Sequence, residues 1–191
     1  MKPRATLTLI SLAFAGLLAG GSAFAQQKLI PAQSDIAFTT KQLGVPLEGH
    51  SKKFDAQVSF DTAKPETAKI AFTVDTGSAA LGEPESDAEL PKATWFNIAK
   101  FPQATFQSSS VKSLGGGKYQ INGKLTIKGN AKDVEIPVAL TQTNGATTAT
   151  GQFTIKRLNF KIGENEWADT SMVADDVQVK FKLAVSGMGK L

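Results

Sequence analysis

The 191-residue sequence contains no cysteine and only one histidine. Without cysteine the chain forms no disulfide, has no thiol nucleophile and offers no thiolate to a metal or a haem. A Ser-His-Asp triad or a histidine-rich metal site would have to use His50, which lies between Glu48 and Lys52 without an orienting motif. We interpret His50 as an exposed strand residue, and we predict no catalytic residue, no metal and no other cofactor.

Long apolar runs are also missing after the first 25 residues. Lys2 and Arg4 precede an apolar stretch over residues 7–18, and a small-x-small pattern, Ala-Phe-Ala, follows at 23–25. The stretch is too short and too interrupted for a stable membrane span. These three parts predict that residues 1–25 are a cleaved secretory signal peptide.

The remaining residues, 26–191, have the length of one domain with one sizeable core. Without Lys2 and Arg4, 19 of the 21 basic residues remain against 17 acidic ones, which leaves a net charge of +2. The chain has no dense basic block with interleaved aromatic residues, so we predict no nucleic-acid partner.

Strict alternation of apolar and polar residues is the main structural signal. Tyr119, Ile121 and Leu125 alternate with Gln120 and Lys124, and similar rows cover 134–140 and 177–185. A period of two is typical of half-buried strands. The alternation also predicts one long strand from residue 47 to residue 60, and an edge or bulge at proline 137 because proline donates no ladder hydrogen bond.

One segment has a different character. Residues 83–91 carry acidic residues suited to a helix N-terminus, with Pro84 suited to a first helical position and Pro91 ending the segment. An irregular aromatic connection follows and is expected to cap one end of a barrel. The fold class predicted is therefore all-β, an antiparallel lipocalin-like barrel of about eight strands with one short helical insertion.

Aromatic side chains are scattered over these strands. A small barrel is either filled by such side chains or encloses a ligand cavity, and the sequence alone does not separate the two. The candidate apolar lining consists of Phe38, Phe54, Phe72, Trp95, Phe96, Phe106, Phe153, Phe160, Trp167 and Phe181.

Arg157 is the one charge whose position conflicts with a simple apolar interior. It shares parity with Phe153 and Ile155, so an unbroken strand would point it inward. A buried charge is costly unless it is paired. We predict that Arg157 lies near the barrel mouth, held by an acid such as Asp175 or meeting a polar ligand head. The alternative is a bulge that turns Arg157 to solvent.

Several stretches together carry a family resemblance. They are the Lys-Phe-Asp at 53–55, the Trp-Phe and Phe-Pro-Gln-Ala-Thr-Phe-Gln-Ser run within 95–108, the Gly-Lys-Leu-Thr-Ile-Lys-Gly at 123–129, and the Arg, Phe, Ile-Gly and Trp residues within 157–167. In this order the chain resembles the YceI-like family of exported, lipocalin-like, polyisoprenoid-binding proteins. Ser51 departs from the family pattern where a phenylalanine is usual, and Lys161 where a glycine is usual.

The resemblance implies a periplasmic protein with a tunnel for a long isoprenoid or fatty-chain lipid, often a homodimer. A transient contact with a membrane protein is a further expectation. The leading hypothesis is a binding or carrier protein for such a lipid. Two alternatives stay open: a structural or stress-response module with a filled core, and a lipid-acting enzyme using His50 or an acid such as Asp175.

Overall fold

The computed structural model describes residues 27–143 and 145–191, and these are built mainly from antiparallel strands. The predicted signal peptide lies outside the described residues. The strands are β1 Lys28–Leu29, β2 Asp35–Gln42, β3 Val45–Ser51, β4 Phe54–Ser59, β5 Lys69–Asp75, β6 Ala79–Ala80, β7 Gln103–Gly115, β8 Lys118–Ile127, β9 Asn130–Thr143, β10 Ala146–Lys156 and β11 Asp176–Ser186. An α-helix, α1, covers Pro84–Glu89, and short 3-10 helices cover Pro31–Gln33, Pro65–Thr67, Thr76–Ser78, Arg157–Phe160 and Asn165–Ala168.

Eight strands close into a barrel in the order β1, β4, β5, β7, β8, β9, β10 and β11, with β11 returning to β1. In β8, Tyr119, Ile121 and Ile127 are buried whereas Lys118 and Lys124 are exposed. The two-residue period therefore gives each strand one face toward the interior. The predicted antiparallel barrel of about eight strands with one short helical insertion is confirmed.

Three further strands extend the wall beyond the closed ring. β2 pairs with the first part of β11, β3 pairs with β2, and β6 pairs with β3. The β2–β3 hairpin thus lies at the end of the barrel where β7 and β11 begin. Residues 81–102, which include α1, and residues 157–175 join strands at this same end. We call it the capped end.

The prediction of one strand from Leu47 to Phe60 is wrong. β3 ends at Ser51 and β4 begins at Phe54, and the two strands pair with different neighbours. Ser51 is buried and so is Phe60, whereas Lys52 and Lys53 are both exposed. The inward positions therefore change from odd to even numbers across the two lysines, and that phase change is the sequence signal of the break.

Pro137 lies where one ladder ends. The β9–β10 pairing runs from Thr143 opposite Ala146 to Val138 opposite Gly151. Beyond it, residues 130–137 keep β8 as their partner. The edge predicted at this proline is present, because the residue has no N–H to donate to a further rung of the ladder.

Buried side chains form two clusters, one near each end of the barrel. Phe60, Val111, Tyr119, Ile121, Ile136 and Val138 close the end opposite the cap. Ile127, Ile155, Phe160 and Ile162 lie under the capped end, with Trp95 and Phe96 packed against them. No helix among the described residues is long and apolar enough to cross a membrane.

Candidate functional site: the barrel interior

The barrel encloses space that its own side chains do not fill. The cavity has a volume of about 350 Å³, within the range of roughly 300–1,000 Å³ typical of small-molecule sites. Inward-facing residues of the strands form its wall, together with residues of α1 and the aromatic connection. The lining is overwhelmingly apolar, so the cavity suits an apolar ligand.

Eight of the ten aromatic candidates line this cavity: Phe38, Phe72, Trp95, Phe96, Phe106, Phe153, Trp167 and Phe181. Two do not, and their assignment to the lining is wrong. Phe54 stacks on Phe72 with ring centroids 5.8 Å apart, beside the break between β3 and β4. Phe160 is 2% exposed and belongs to the core under the cap. It follows the end of β10, where strand parity no longer applies.

Two aromatic residues outside that candidate set also line the cavity. Phe60 and Tyr119 meet edge to face, with centroids 5.2 Å apart at 85°. They belong to the cluster that closes the end opposite the cap. Both lie on inward rows predicted by the alternation, so parity alone would have identified them.

Apart from Tyr119, the polar part of the lining comes from β2, β3, α1, the 3-10 helix Thr76–Ser78 and the segment that follows β10. Most of these elements lie at the capped end. The residues are Thr40, Gln42, Ser51, Thr76, Ser86, Glu89 and Arg157. The cavity therefore has an apolar body and a polar region beneath the cap.

Three of the lining phenylalanines each cover a glycine on a neighbouring strand. A Cβ added to Gly49 would lie 2.5 Å from the Phe38 ring, and one added to Gly151 would lie 2.4 Å from the Phe181 ring. A Cβ at Gly123 would meet Phe106 at 2.5 Å. Glycine thus makes room for a ring laid flat across the strand, a known way of filling the gap at a strand glycine.

Gly151→Ala is expected to destabilise the fold by about 1–3 kcal/mol, the usual cost of overpacking. The new methyl group would contact the Phe181 ring at 2.4 Å and the Pro137 carbonyl oxygen at 2.5 Å. Chemical denaturation measures the effect, and Thr150→Ala on the exposed face of the same strand is the control. Equal stability of the two variants would contradict the close ring–glycine packing.

Arg157 is almost fully buried, 1% exposed, although β10 has ended one residue before it. All five of its N–H groups reach backbone carbonyls. Nε donates to Ala174 at 3.1 Å, Nη1 to Ile162 at 2.8 Å and Gly163 at 3.0 Å, and Nη2 to Trp167 at 2.6 Å and Val173 at 2.7 Å. A guanidinium has five N–H donors, so none is left for a ligand head. Arg157 therefore lines the cavity without a free donor for the polar ligand head that the sequence predicts it to meet.

Asp175 does not hold the Arg157 side chain either, so that prediction is also wrong. Its carboxylate accepts the Leu158 N–H at 2.9 Å, and its carbonyl accepts the Arg157 N–H at 2.8 Å. Asp175 therefore caps the first turn of the 3-10 helix. Burial lowers the pKa of Arg157, and the nearby negative charge of Asp175 opposes that shift. The guanidinium remains charged at any physiological pH.

Arg157 organises the cap through the carbonyls that it binds. They all belong to the segment that returns from β10 to β11. The guanidinium carbon lies 6.0 Å from the centre of the Trp95 ring, and Trp95 packs on Trp167 with centroids 5.6 Å apart. The Trp95 indole N–H is buried without a hydrogen-bond partner among the described residues. The Arg157 guanidinium thus contacts both segments of the capped end, residues 81–102 through Trp95 and residues 157–175 through their carbonyls.

A second buried cation ties the cap to the barrel wall. Lys128 is in the turn between β8 and β9, and its side chain is 5% exposed. Its Nζ donates to the Lys161 carbonyl at 2.6 Å and pairs with Glu164 at 2.8 Å. Lys161 itself is exposed at φ +56°, a left-handed conformation that suits the glycine expected there. Its charge is not part of the cavity lining.

His50 lies outside the cavity and is half exposed, as the sequence predicts. Its Nδ1 is 3.1 Å from the Asp35 carboxylate, and 49% of its side chain is accessible. The neighbouring Ser51 is buried and lines the cavity. Serine at this position leaves open the space that the resemblance assigns to a phenylalanine.

Comparison with known sequences identifies relatives over most of the chain. Residues 28–185 match the family model described as the YceI-like domain. A UPF0312 protein of Ectopseudomonas mendocina is 39% identical over 132 residues, covering 67% of this chain and 69% of the relative. Protein YceI of Salmonella agona is 38% identical over 137 residues, covering 69% and 71%.

Solved structures share the architecture. BcnA of Burkholderia cenocepacia aligns with a TM-score of 0.79 at 44% identity, covering 82% of this chain and 98% of that one. A polyisoprenoid binding domain from Saccharophagus degradans aligns with a TM-score of 0.67 at 13% identity, covering 84% and 98%. At that identity the second likeness supports the fold alone.

Proposed function

The chain belongs to the YceI-like domain family, and from this premise we propose that it binds a long apolar lipid of the isoprenoid type, such as a polyprenyl chain or a quinone. The lipid would lie in the barrel, and the protein would carry it through the periplasm after removal of residues 1–25. One observation carries the proposal: an apolar cavity of about 350 Å³ that the protein's own side chains leave unfilled.

The energetics favour a chain-like apolar ligand. Each methylene group moved from water into such a cavity contributes about 0.8 kcal/mol, so a few isoprene units supply useful affinity without any charged contact. Most of the polar lining residues lie under the cap, which orients the polar end of an amphipathic lipid toward that end. A polyisoprenoid ligand agrees with what the Saccharophagus degradans neighbour is described to bind.

Binding rather than catalysis fits the ionisable groups of the lining. Arg157 donates all its guanidinium N–H groups to backbone carbonyls, and Glu89 pairs with Lys92. His50 is outside the cavity, so no histidine among the described residues is placed to act as a base on the ligand. The protein holds its ligand without converting it.

Organic extraction tests the proposal directly. We expect the purified mature protein, extracted with chloroform and methanol and analysed by mass spectrometry, to yield an isoprenoid lipid in near-stoichiometric amount. A protein that yields no lipid and takes up no tritium-labelled polyprenol would be a filled structural module instead. Native mass spectrometry of the same sample measures whether the proposed homodimer forms.

Export has its own measurement. Fractionation of cells expressing the full chain is expected to place the protein in the periplasmic fraction, with Gln26 as its first residue by N-terminal sequencing. A cytoplasmic protein that retains Met1 would contradict the proposed location while leaving lipid binding untouched.

A further inference from the structure

The tip of the β2–β3 hairpin exposes large apolar side chains. Among the described residues, five such side chains are exposed: Leu43 at 70%, Val45 at 66%, Leu114 at 54%, Met172 at 43% and Leu191 at 41%. Three of them lie together. The Leu43 N–H donates to the Met172 carbonyl at 2.8 Å, and Val45 is two residues beyond Leu43 across the turn. We call Leu43, Val45 and Met172 the apolar tip.

Folding does not account for the leucine in this turn. Leu43 has φ +50° and Gly44 has φ +81°, so both central residues of a two-residue hairpin loop are left-handed. Such loops favour Asn-Gly, because asparagine tolerates this conformation and leucine is strained in it. Leu43 also buries little surface in return. A strained residue that contributes nothing to the core points to a functional role.

The apolar tip borders the cavity. Gln42 and Val173 are the chain neighbours of Leu43 and Met172, and they form a bridge with each other. Both also line the cavity. The exposed apolar side chains therefore lie one residue away from the cavity wall at the capped end, where most of the polar lining residues are.

The segments that carry the tip have no charge. Residues 42–47 read Gln-Leu-Gly-Val-Pro-Leu and residues 170–174 read Thr-Ser-Met-Val-Ala. The nearest ionisable residues along the chain are Lys41 and Glu48 on one side and Asp169 and Asp175 on the other. Moving an ionised side chain into the apolar part of a membrane is costly, and this tip avoids that cost.

We propose that the apolar tip inserts into the surface of a lipid bilayer and so holds the capped end of the cavity against the membrane. This proposal rests on the proposed function, because the bilayer is then the source or destination of the bound lipid. Exposed apolar patches mark interaction sites on soluble domains. A bilayer interface accepts a small protruding tip without matching its shape.

A second copy of the chain is a poorer occupant for this surface. Stable protein interfaces bury about 800 Å² on each partner, supplied by roughly 20–30 residues. Three side chains at a convex hairpin tip fall well short of that number. The size of the tip therefore favours a membrane over a dimer contact.

Vesicle flotation with Leu43→Asn tests the proposal. On vesicles of phosphatidylcholine and phosphatidylethanolamine, we expect its partition coefficient to fall about tenfold, the order expected for one leucine withdrawn from an apolar environment. Val45→Thr keeps a β-branched strand residue and is expected to lower binding in the same direction. The matched control is Leu114→Asn, because Leu114 is 54% exposed at the opposite end of the barrel. Its binding should equal that of the wild type.

Stability provides a second readout of opposite sign. Leu43→Asn creates the preferred Asn-Gly turn, so its thermal midpoint should equal or exceed that of the wild type while its vesicle binding falls. Unchanged binding of Leu43→Asn, or an equal loss in Leu114→Asn, would overturn the proposal. So would a Leu43-dependent dimer in the absence of vesicles, which would make the second copy the occupant.

The two proposals fail in different ways. If the protein takes up labelled polyprenol from detergent micelles but does not float with vesicles, the membrane contact is wrong and lipid binding stands. If it floats through Leu43 but contains and takes up no lipid, the apolar tip stands and the carrier function is wrong.

Discussion

Arg157→Met is expected to lower the free energy of unfolding by about 3–5 kcal/mol, an effect near the upper end for single substitutions. Methionine keeps much of the length of the side chain but removes all five donors. The carbonyls of Ile162, Gly163, Trp167 and Val173 lose the donor that binds them, whereas the Ala174 carbonyl keeps the Thr40 hydroxyl at 3.3 Å. Each buried group left without a partner costs about 1–3 kcal/mol before relaxation or water entry. The loss falls on the segment between β10 and β11, which covers the cavity.

Urea denaturation followed by circular dichroism measures the stability change, and tryptophan fluorescence reports on Trp95 and Trp167 in the cap. Lys156→Met is the matched control, since Lys156 is the preceding residue, its side chain is 54% exposed, and it pairs with Asp176 at the surface. Such pairs contribute about 0–1 kcal/mol. Arg157→Lys should fall between the two, because one ammonium with three donors does not satisfy five carbonyls.

The same variants separate a structural role for Arg157 from a ligand contact. In the structural role, Arg157→Met loses stability even in protein stripped of lipid. A variant that keeps wild-type stability but loses its lipid would contradict the hydrogen-bond network and restore the hypothesis of a contact with the ligand head. Equal stability of Arg157→Met and Lys156→Met would likewise overturn the structural role.

The barrel could be predicted from the sequence because its signal is local. A strand with one buried face must alternate, and rows such as the one from Lys118 to Ile127 record that requirement in ten consecutive residues. The single strand predicted over residues 47–60 is wrong because the inward-facing positions change from odd to even numbers across Lys52 and Lys53. The change from odd to even inward positions was present in the sequence.

The candidate site was less predictable because its geometry is not local. Parity accounts for the five lining candidates that lie on strands, but it could not apply to Trp95, Phe96 and Trp167 or to Phe160, which all lie outside the strands. Parity also predicted correctly that the Arg157 side chain points inward. The partner predicted for it, the Asp175 carboxylate, is wrong. The five acceptors of Arg157 are backbone carbonyls, which every residue possesses, so no side-chain pattern marks them.

Cavity and core are likewise indistinguishable by alternation, since both require apolar side chains on the inward face. The interior stays open because the inward side chains of facing strands together have less volume than the barrel encloses. Small inward residues contribute to this open space: Ala56 and Ala149 line the cavity, and Ser51 replaces an expected phenylalanine. Their effect depends on which residues they face, and that is settled only in three dimensions.

Ala56→Trp is expected to abolish most lipid binding while leaving the barrel folded. Ala56 faces inward on β4, opposite Phe72, and lines the cavity. An indole there would occupy space that the ligand needs. Excluding only two methylene groups from the cavity costs about 1.6 kcal/mol, which already exceeds a tenfold loss of affinity. A larger loss is expected, because the indole is larger than two methylene groups.

The neighbouring position supplies the control. Gln57 is the next residue of β4 and its side chain is exposed, so Gln57→Trp adds the same indole to the outer surface. Binding of tritium-labelled polyprenol and the lipid extracted from each variant are the measurements, with circular dichroism to verify folding. If Ala56→Trp folds and binds as much lipid as Gln57→Trp, the ligand does not occupy the barrel interior. Since the apolar tip lies outside that interior, vesicle flotation of Ala56→Trp should remain unchanged, which separates membrane contact from lipid storage.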